Sequence, residues 1–578
     1  MTLLFNDPAS FVDEMVEGFV AANQRWVRSV PGGVVRRLLP DQPTVAVVIG
    51  GGSGHYPAFA GLVGQGLAHG AVIGNVFASP SADHVHSVAV AAESGAGLLL
   101  GYGNYAGDVL NFDQAQARLN AEGIACQAVA VTDDISSAPA HEVHRRRGIA
   151  GDLLVFKIAG AAADQGRSLD DVTRVAARAN DRCRSLGVAF AGCTLPGADH
   201  RLFEVPPGRM AVGMGAHGEP GIQEQDMPSA DQLAQLFTES LLRERPPGVE
   251  ELSGARVVVI LNGMGSVKYE ELFVVYRRVA GELDQAGLTV VDSRVGEFVT
   301  SFDMAGASMT VLWLDEELET LWAAPADSPA FYKPNIQGDQ RAWHAGSDKE
   351  SAPGRRVPAS TDASRAATSL VAKALRSVRV AIDERAQELG RMDSVAGDGD
   401  HGIGMQRGVH AAAEAADEAR KKGAGVRTTL TRAAEAWADR AGGASGALWG
   451  AALHALAAAL SDDSGPSKRD LADGIAAASK AVQSTGKAKV GDKTMVDALQ
   501  PFAFAFSAAI DRGASTADAW NEALEAAAKG AESTASMVAR VGRARPHAEK
   551  SLGTQDPGAA SFVIVVRAVL PALDEAQT

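Results

Sequence analysis

Cysteine is scarce in this chain of 578 residues: only Cys126, Cys183 and Cys193 occur, and no two of them form a C-x-x-C pair. Three thiols are too few for a disulfide framework, so a reducing, cytoplasmic setting is expected. Positive charge is also in deficit. Lys and Arg number 54 against 70 Asp and Glu, a formal charge of −16. Sequence-independent affinity for nucleic acid comes from cations that neutralise phosphates, so nucleic acid is not an expected partner. No run is read as reaching the ~20 apolar residues of a membrane span. The stretch Met1–Asp7 has neither a basic n-region nor a long apolar h-region, so neither insertion nor export is expected. Two nucleotide-binding signatures are absent as well. There is no G-x-x-x-x-G-K-[ST] loop, and no set of G-x-G-x-x-G, Val-Ala-Ile-Lys and Asp-Phe-Gly can be assembled.

Glycine, by contrast, is abundant at 62 residues, which implies many tight turns or backbone-lined sites. The length exceeds what one core can organise, so two or three domains are expected. Up to about residue 330, short apolar runs precede glycine clusters and are followed by helical stretches, the pattern of an α/β region. The clearest strands are Val45–Ile49, Leu98–Leu100, Ala128–Val131, Val257–Leu261 and Thr310–Leu314. Subdomains are placed at about 1–185 and 186–330. A stretch at 331–361 loses periodicity and reads as a linker. From about residue 362 alanine dominates, and Val371, Leu375, Val378, Ile382 and Leu389 recur at helical spacing, so 362–578 is expected to be all-helical. Glycine clusters at 397–404, 442–446, 486–491 and 553–558 interrupt it, giving four loops that could converge on one ligand. No solenoid repeat is evident.

Several segments could carry chemistry. Gly50-Gly51-Gly52-Ser53-Gly54-His55 follows an apolar strand, where missing side chains let backbone N–H groups approach a ligand; a sharp strand-to-helix turn with a structural histidine is the other reading. Gly101–Gly107 loosely matches the dinucleotide fingerprint, and Gly213–Gly218 matches it without an opening strand and helix. No acidic partner sits at a suitable offset from either, so a Rossmann cofactor is rejected. His217 stands among glycines, followed by Glu219 and Pro220, an arrangement that exposes an imidazole on a stiff backbone or serves only structure. Asp393, Asp398 and Asp400 bring three carboxylates into eight residues. An EF-hand is excluded because Gly402 and Val409 occupy ligand places. Magnesium with a nucleotide phosphate chain fits better, beside the alternative of a solvated acidic turn.

Taken together, the chain resembles the single-chain, ATP-dependent dihydroxyacetone kinase family over nearly its whole length. The likeness rests on Gly51-Gly52-Ser53-Gly54-His55, Asn104-Tyr105-Ala106-Gly107-Asp108, His217-Gly218-Glu219-Pro220-Gly221 and Thr300-Ser301-Phe302-Asp303-Met304-Ala305-Gly306. In the second half it rests on Asp398-Gly399-Asp400-His401-Gly402, Gly442-Gly443-Ala444-Ser445-Gly446, Gly491-Asp492-Lys493-Thr494-Met495 and Asp556-Pro557-Gly558. Eight motifs in the family's order are hard to obtain by chance.

The resemblance implies an α/β ketose-binding half and an all-α, helical-barrel nucleotide-binding domain. It implies that His217 bonds covalently to the ketose carbonyl carbon as a hemiaminal, an attack that needs the neutral imidazole expected above a pKa of about 6.5. Asp108 would accept the proton of the terminal hydroxyl, with His55 hydrogen-bonding the substrate beside Gly52, Ser53 and Gly54. Magnesium would sit on Asp393, Asp398 and Asp400. ATP would be surrounded by His401, Gly402, Ile403, Gly404, Ala444, Ser445, Gly486, Met495, Arg543, Asp556, Pro557 and Gly558, with Lys493 available as extra positive charge and Lys487 and Lys489 either adding to it or standing on a solvated loop. A homodimer is implied, in which the helical half of one chain serves the ketose site of the other.

Some positions depart from the family. His55-Tyr56-Pro57-Ala58-Phe59 stands where His-Glu-Pro-Ala-His is usual, Gly103 where a lysine precedes Asn-Tyr, Asn75 where aspartate is common, and Gly542-Arg543-Ala544-Arg545-Pro546 where Gly-Arg-Ala-Ser-Tyr is usual. The first three point to a less charged, larger pocket and hence to a four-carbon ketose such as erythrulose over dihydroxyacetone. The last suggests a nucleotide lid of different mobility. A dihydroxyacetone or glyceraldehyde kinase with flavin-dinucleotide cyclase activity, and a non-catalytic ketose-binding regulator, are the alternatives.

Overall fold

The computed structural model describes residues 2–38, 41–335, 357–541 and 549–575. The chain divides into two compact units, Met1–Gln340 and Arg341–Thr578.

The first unit is α/β. Helix α1 (Phe11–Ala22) leads into a six-stranded sheet ordered β1 (Val27–Val30), β2 (Gly33–Arg36), β4 (Gly70–Val76), β3 (Ala46–Ser53), β5 (Leu98–Gly103), β6 (Cys126–Val131). β4, β3, β5 and β6 run parallel, while β1 and β2 add an antiparallel edge. Parallel strands are covered on both faces, which explains their unbroken apolar runs. Helices α2 (Ala82–Ala92) and α3 (Ala106–Ala121) cover one face through Val85, Val88, Phe112 and Leu119. Helices α4 (Gly151–Asp164) and α5 (Leu169–Asp181) cover the other. Register pairs Ala46 with Leu98 and Ile49 with Gly101, so the glycine-rich ends of β3 and β5 emerge side by side.

A second six-stranded sheet is ordered β11 (Thr289–Gly296), β10 (Arg256–Gly263), β12 (Ala305–Trp313), β7 (Cys183–Ala191), β8 (Arg209–Val212), β9 (Gln223–Asp226), with only β10 and β11 parallel. Helices α6 (Ala230–Arg243) and α7 (Tyr269–Gln285) pack on its outer face through Phe237, Leu241, Val275 and Val279. Its inner face shares one core with α4 through Val258, Ile260 and Leu312, joined by Leu318 and Leu321 of α8 (Glu316–Ala323). Helix α4 is thus enclosed between sheets, with Gly151–Ala163 entirely buried. Burial on all sides is why Leu-Leu-Val-Phe-Lys-Ile-Ala-Gly shows no polar face.

The second unit is all-helical among the described residues. Its helices are α9 (Asp362–Asp393), α10 (His401–Lys421), α11 (Val426–Ala441), α12 (Gly443–Ala458), α13 (Lys468–Gly486), α14 (Val496–Asp511), α15 (Thr516–Ser533) and α16 (Pro557–Glu575). Leu375, Val378, Ile382 and Leu389 form the buried stripe of α9. The helices surround an apolar cavity of about 230 Å³ bounded by Leu375, Trp437, Trp449, Phe502 and Phe562.

Two readings change. Tyr332–Lys333, at the start of the stretch read as linker, pairs antiparallel with Ala326–Asp327, and Lys333 bridges Asp292 at 2.6 Å. These residues belong to the first unit, while 336–356 lie outside the described residues. Pro557–Asp574 is, by length and composition, apolar enough to cross a membrane, against the expectation that no run reaches that length. Its Phe562, Val565 and Val566 are buried against neighbouring helices.

Candidate active site

Ligands of open parallel sheets collect beyond the carboxyl ends of the strands. There, with loops that follow β8 and β10, the first unit forms a cavity of about 200 Å³. Gly50, Gly51, Gly52 and His55 line it from the β3 end, and Gly103, Tyr105 and Asp108 from the β5 end. Met214, His217 and Met264 complete it from the second sheet. The glycine run is required chiefly by packing. A Cβ on Gly51 would lie 2.4 Å from the Phe59 ring, and one on Gly52 2.8 Å from Ala78 N. Ser53 and Gly54, read as substrate-binding, do not line the cavity. Ser53 Oγ is buried and donates to Gly74 O at 2.7 Å, and Gly54 (φ +105°) is wedged between the rings of Phe77 and Phe302.

Two histidines meet in the cavity. His55 Nδ1 lies 2.7 Å from Thr300 O; a carbonyl only accepts, so this nitrogen carries a hydrogen. His217 Nδ1 lies 3.0 Å from Glu219 Oε1, and His217 N donates to Glu219 Oε2 at 3.0 Å. With both Nδ1 atoms donating, the 3.0 Å approach of the two Nε2 atoms is a hydrogen bond only if one ring holds a second proton. Burial, then the neighbouring His217, pushes His55 down to about 4. Burial alone would raise Glu219, but the hydrogen bond and charge of His217 hold it at about 2. Phe77 stacks on His55 at 5.0 Å and meets His217 edge-on at 4.9 Å, and Tyr105 meets His217 edge-on at 5.3 Å. These rings fix both imidazoles.

Asp108 sits in the first turn of α3. Burial pushes it up to about 6 against the opposing pull of Ser79 and His217, and its Oδ1 is buried without a hydrogen-bond partner. A carboxylate poised near neutrality suits a base that must take a hydroxyl proton. The departures fall unequally. Phe59 lines the cavity as an apolar ring. At Gly103 a Cβ would come within 3.3 Å of the Tyr105 ring. Asn75 is exposed, turns to its neighbour Val76 N at 2.7 Å and does not line the cavity, so its missing charge is not a pocket property.

In the helical unit Asp393 ends α9, and Asp398 and Asp400 occupy the turn before α10. One oxygen from each lies within 4.8 Å of the others. Gly399 (φ +79°) makes the turn and donates to Asp393 Oδ2 at 2.8 Å. An all-carboxylate set this close fits a hard divalent cation such as magnesium. His401 opens α10 and is pinned to Ser445 Oγ of α12 at 3.1 Å and Ser561 Oγ of α16 at 2.9 Å; burial lowers it. The N-termini of α10 and α12 therefore start together, a setting that favours phosphate. Ser561 carried no sequence signal.

The remaining nucleotide candidates spread over the same unit. A Cβ on Gly402 would lie 1.9 Å from Ala386 O, so this glycine lets α10 close on α9. Ile403 is exposed, and a Cβ on Gly404 would meet nothing closer than Ala441 O at 3.7 Å. Ala444 is exposed in the first turn of α12, after the left-handed Gly442 and Gly443. Gly486 ends α13 beside Leu448 of α12. Met495 precedes α14 and neighbours Gly558. Asp556 accepts from Ala559 N at 2.7 Å ahead of Pro557 and Gly558, and burial pushes it up to about 7. Lys493 turns its ammonium onto the carbonyls of Met537 and Ser551 and so holds a loop. Lys487 and Lys489 are exposed. Arg543, with 542–546, lies outside the described residues.

Comparison with known proteins adds the following. Residues 17–330 match the Dak1 domain, and residues 395–571 match the DAK2 domain. The chain is 57% identical to the L-erythrulose kinase of Pectobacterium atrosepticum, over 100% of this chain and 98% of the relative. It is 51% identical to the D-erythrulose kinase of Mycolicibacterium smegmatis, over 98% of each. The crystal structure of the dihydroxyacetone kinase from C. freundii in complex with AMP-PNP and Mg2+ is similar with a TM-score of 0.58 and 30% identity, covering 99% of both chains.

Proposed function

We propose a reaction from the premise that the chain belongs to the single-chain dihydroxyacetone kinase family: it moves the terminal phosphoryl group of ATP to a terminal hydroxyl of a short-chain ketose. The ketose we assign is four carbons long, such as erythrulose. The observation that carries this reading is the His217 imidazole, part-exposed in an apolar cavity, hydrogen-bonded to Glu219 and sharing that cavity with Asp108. Nδ1 of His217 is occupied, so Nε2 is the nucleophile. As Nε2 bonds to the carbonyl carbon, its hydrogen passes through His55 Nε2 to the carbonyl oxygen, which becomes a hydroxyl. The substituted ring keeps its Nδ1 hydrogen and positive charge opposite Glu219. A plain polyol has no carbonyl to capture, which is how glycerol is refused.

Asp108 takes the proton of the terminal hydroxyl as that oxygen attacks phosphorus. In-line positioning and charge neutralisation, more than covalent help from the protein, drive such a transfer. Asp393, Asp398 and Asp400 would hold magnesium, which when bound neutralises charge on the phosphate chain. The erythrulose assignment draws on the two relatives above, on Phe59 in the wall and on the absent lysine at Gly103. A cytoplasmic homodimer is inferred from the buried, unpaired thiols and the family likeness. The deciding measurement is coupled ADP release with both erythrulose enantiomers, dihydroxyacetone, glyceraldehyde and glycerol. Fastest release with an erythrulose and none with glycerol is expected. Strong preference for dihydroxyacetone would remove the four-carbon assignment, and no release with any ketose would remove the kinase reading.

A further inference from the structure

Three carboxyls line the ketose cavity: Asp108, Asp134, which is paired with Arg147 at 2.8 Å, and Asp152, which has no role in the chemistry above. It is the second residue of α4, only 3% exposed, and lines the cavity with His217 and Asp108. Nothing among the described residues satisfies it. Oδ1 is fully buried and has no hydrogen-bond partner. The N–H groups at the start of α4 that would ordinarily reach a carboxylate are taken, because Ile149 N and Gly151 N each donate to Asp133 at 2.8 Å. Next to Oδ1 lies Gly148, on which a Cβ would sit 2.9 Å away, and behind it Gly103. Neither offers a side chain. A polar group buried without a partner is destabilising, and departures of this kind concentrate at sites that use them.

We propose that Asp152 is a substrate-binding residue: its carboxyl hydrogen-bonds a ketose hydroxyl other than the one phosphorylated, and so favours a polyhydroxy ketose. This rests on the kinase reading above. The two carboxyls divide the work by position, Asp108 from the β5–α3 turn and Asp152 from the buried helix. Burial, followed by the charges of Asp133 and Asp108, holds Asp152 well above the usual carboxylate range. A neutral carboxyl both donates and accepts, which matches a hydroxyl. It also leaves Asp108 as the proton acceptor, since a second full charge nearby would compete for the proton.

Two variants of nearly the same shape test this in the full chain, with ADP release and thermal unfolding as readouts. Asp152→Leu removes the hydrogen-bonding group, and Asp152→Asn keeps a donor and an acceptor. The expected result is an erythrulose KM raised about 10- to 100-fold in the Leu variant, as for one lost substrate hydrogen bond. In the Asn variant KM is expected to stay within about 3-fold, and the ATP KM is unchanged in both. Neither thermal midpoint should fall, because no hydrogen bond within the protein is lost. An unchanged KM in the Leu variant would overturn the inference, as would lowered midpoints in both variants, which mark a structural carboxyl. Absence of erythrulose turnover in the unaltered protein would overturn the kinase reading and this inference together, whereas normal turnover with either of the preceding results defeats only the inference.

Discussion

Nε2 of His55 and Nε2 of His217 face each other at 3.0 Å although both rings already commit their Nδ1 hydrogens, to Thr300 O and to Glu219. Under the proposed capture, a ketose has to separate the two rings to bond to His217. On the proposed reaction, this contact brings the nucleophile and its proton relay together.

That arrangement predicts different losses for the two rings. His217→Ala should abolish ketose turnover, and a ketose labelled with 13C at the carbonyl should keep its ketone resonance when mixed with it. The unaltered protein should convert that resonance to a tetrahedral one. His55→Ala should retain the adduct and slow turnover by about 10²- to 10⁴-fold, the usual worth of a positioned proton carrier. A folded His217→Ala protein with the parent's rate and affinity would end covalent capture.

As the proposed base, Asp108 would set the acid limb. A base must be ionised to act, so with its carboxyl at about 6, kcat/KM should fall as pH drops through that value, and Asp108→Asn should lose both the limb and the activity. Stability moves the opposite way. A carboxyl whose folded pKa is raised above the unfolded value of about 3.9 stabilises the fold when protonated. That contribution is complete below about pH 4 and is lost as pH rises through about 6. The Asn variant should therefore be more stable than the parent near pH 8, by about 1–2 kcal/mol after allowance for partial exposure; thermal unfolding across pH is the measurement.

Much of this was legible in the sequence, and what was not has a common cause. Strand-then-glycine patterning located β3 and β5, and the residues that end them, because a parallel strand and its turn are written in adjacent positions. Asp393, Asp398 and Asp400 likewise sit within one turn. His55 binding Thr300, 245 positions away, and His401 binding Ser561, 160 away, left no local trace. Asp152 was hidden by its own helix, since a segment buried on every side has no polar face against which an aspartate stands out. Lys493 misled for a related reason. A lysine in a glycine loop reads as charge for the phosphate chain, whereas here its ammonium closes on two backbone carbonyls.

Gly402 offers a test of the helical unit that needs no ligand. A methyl there would lie 1.9 Å from Ala386 O and would force α10 off α9, moving His401 away from its two serines. Gly402→Ala should cost about 2–3 kcal/mol, in the range of overpacking substitutions. Gly404→Ala, two residues on, has its nearest neighbour at 3.7 Å and should fold as the parent does. Denaturant midpoints of the two variants compared side by side decide whether close helix approach or helix propensity governs the segment.

The aspartate triad separates a working site from an acidic turn, because only a working site predicts a change in magnesium requirement. If the three carboxylates hold magnesium, Asp398→Asn should raise the Mg2+ concentration needed for half-maximal activity by about 10- to 100-fold, as loss of a coordinating or supporting group usually does. The ketose KM should not move, since no residue of the ketose cavity has changed. The thermal midpoint of the same variant in chelator checks that the turn still folds. A solvated turn predicts no change in magnesium requirement at all, so a folded variant equally active at low magnesium would show that the carboxylates do not serve a cation.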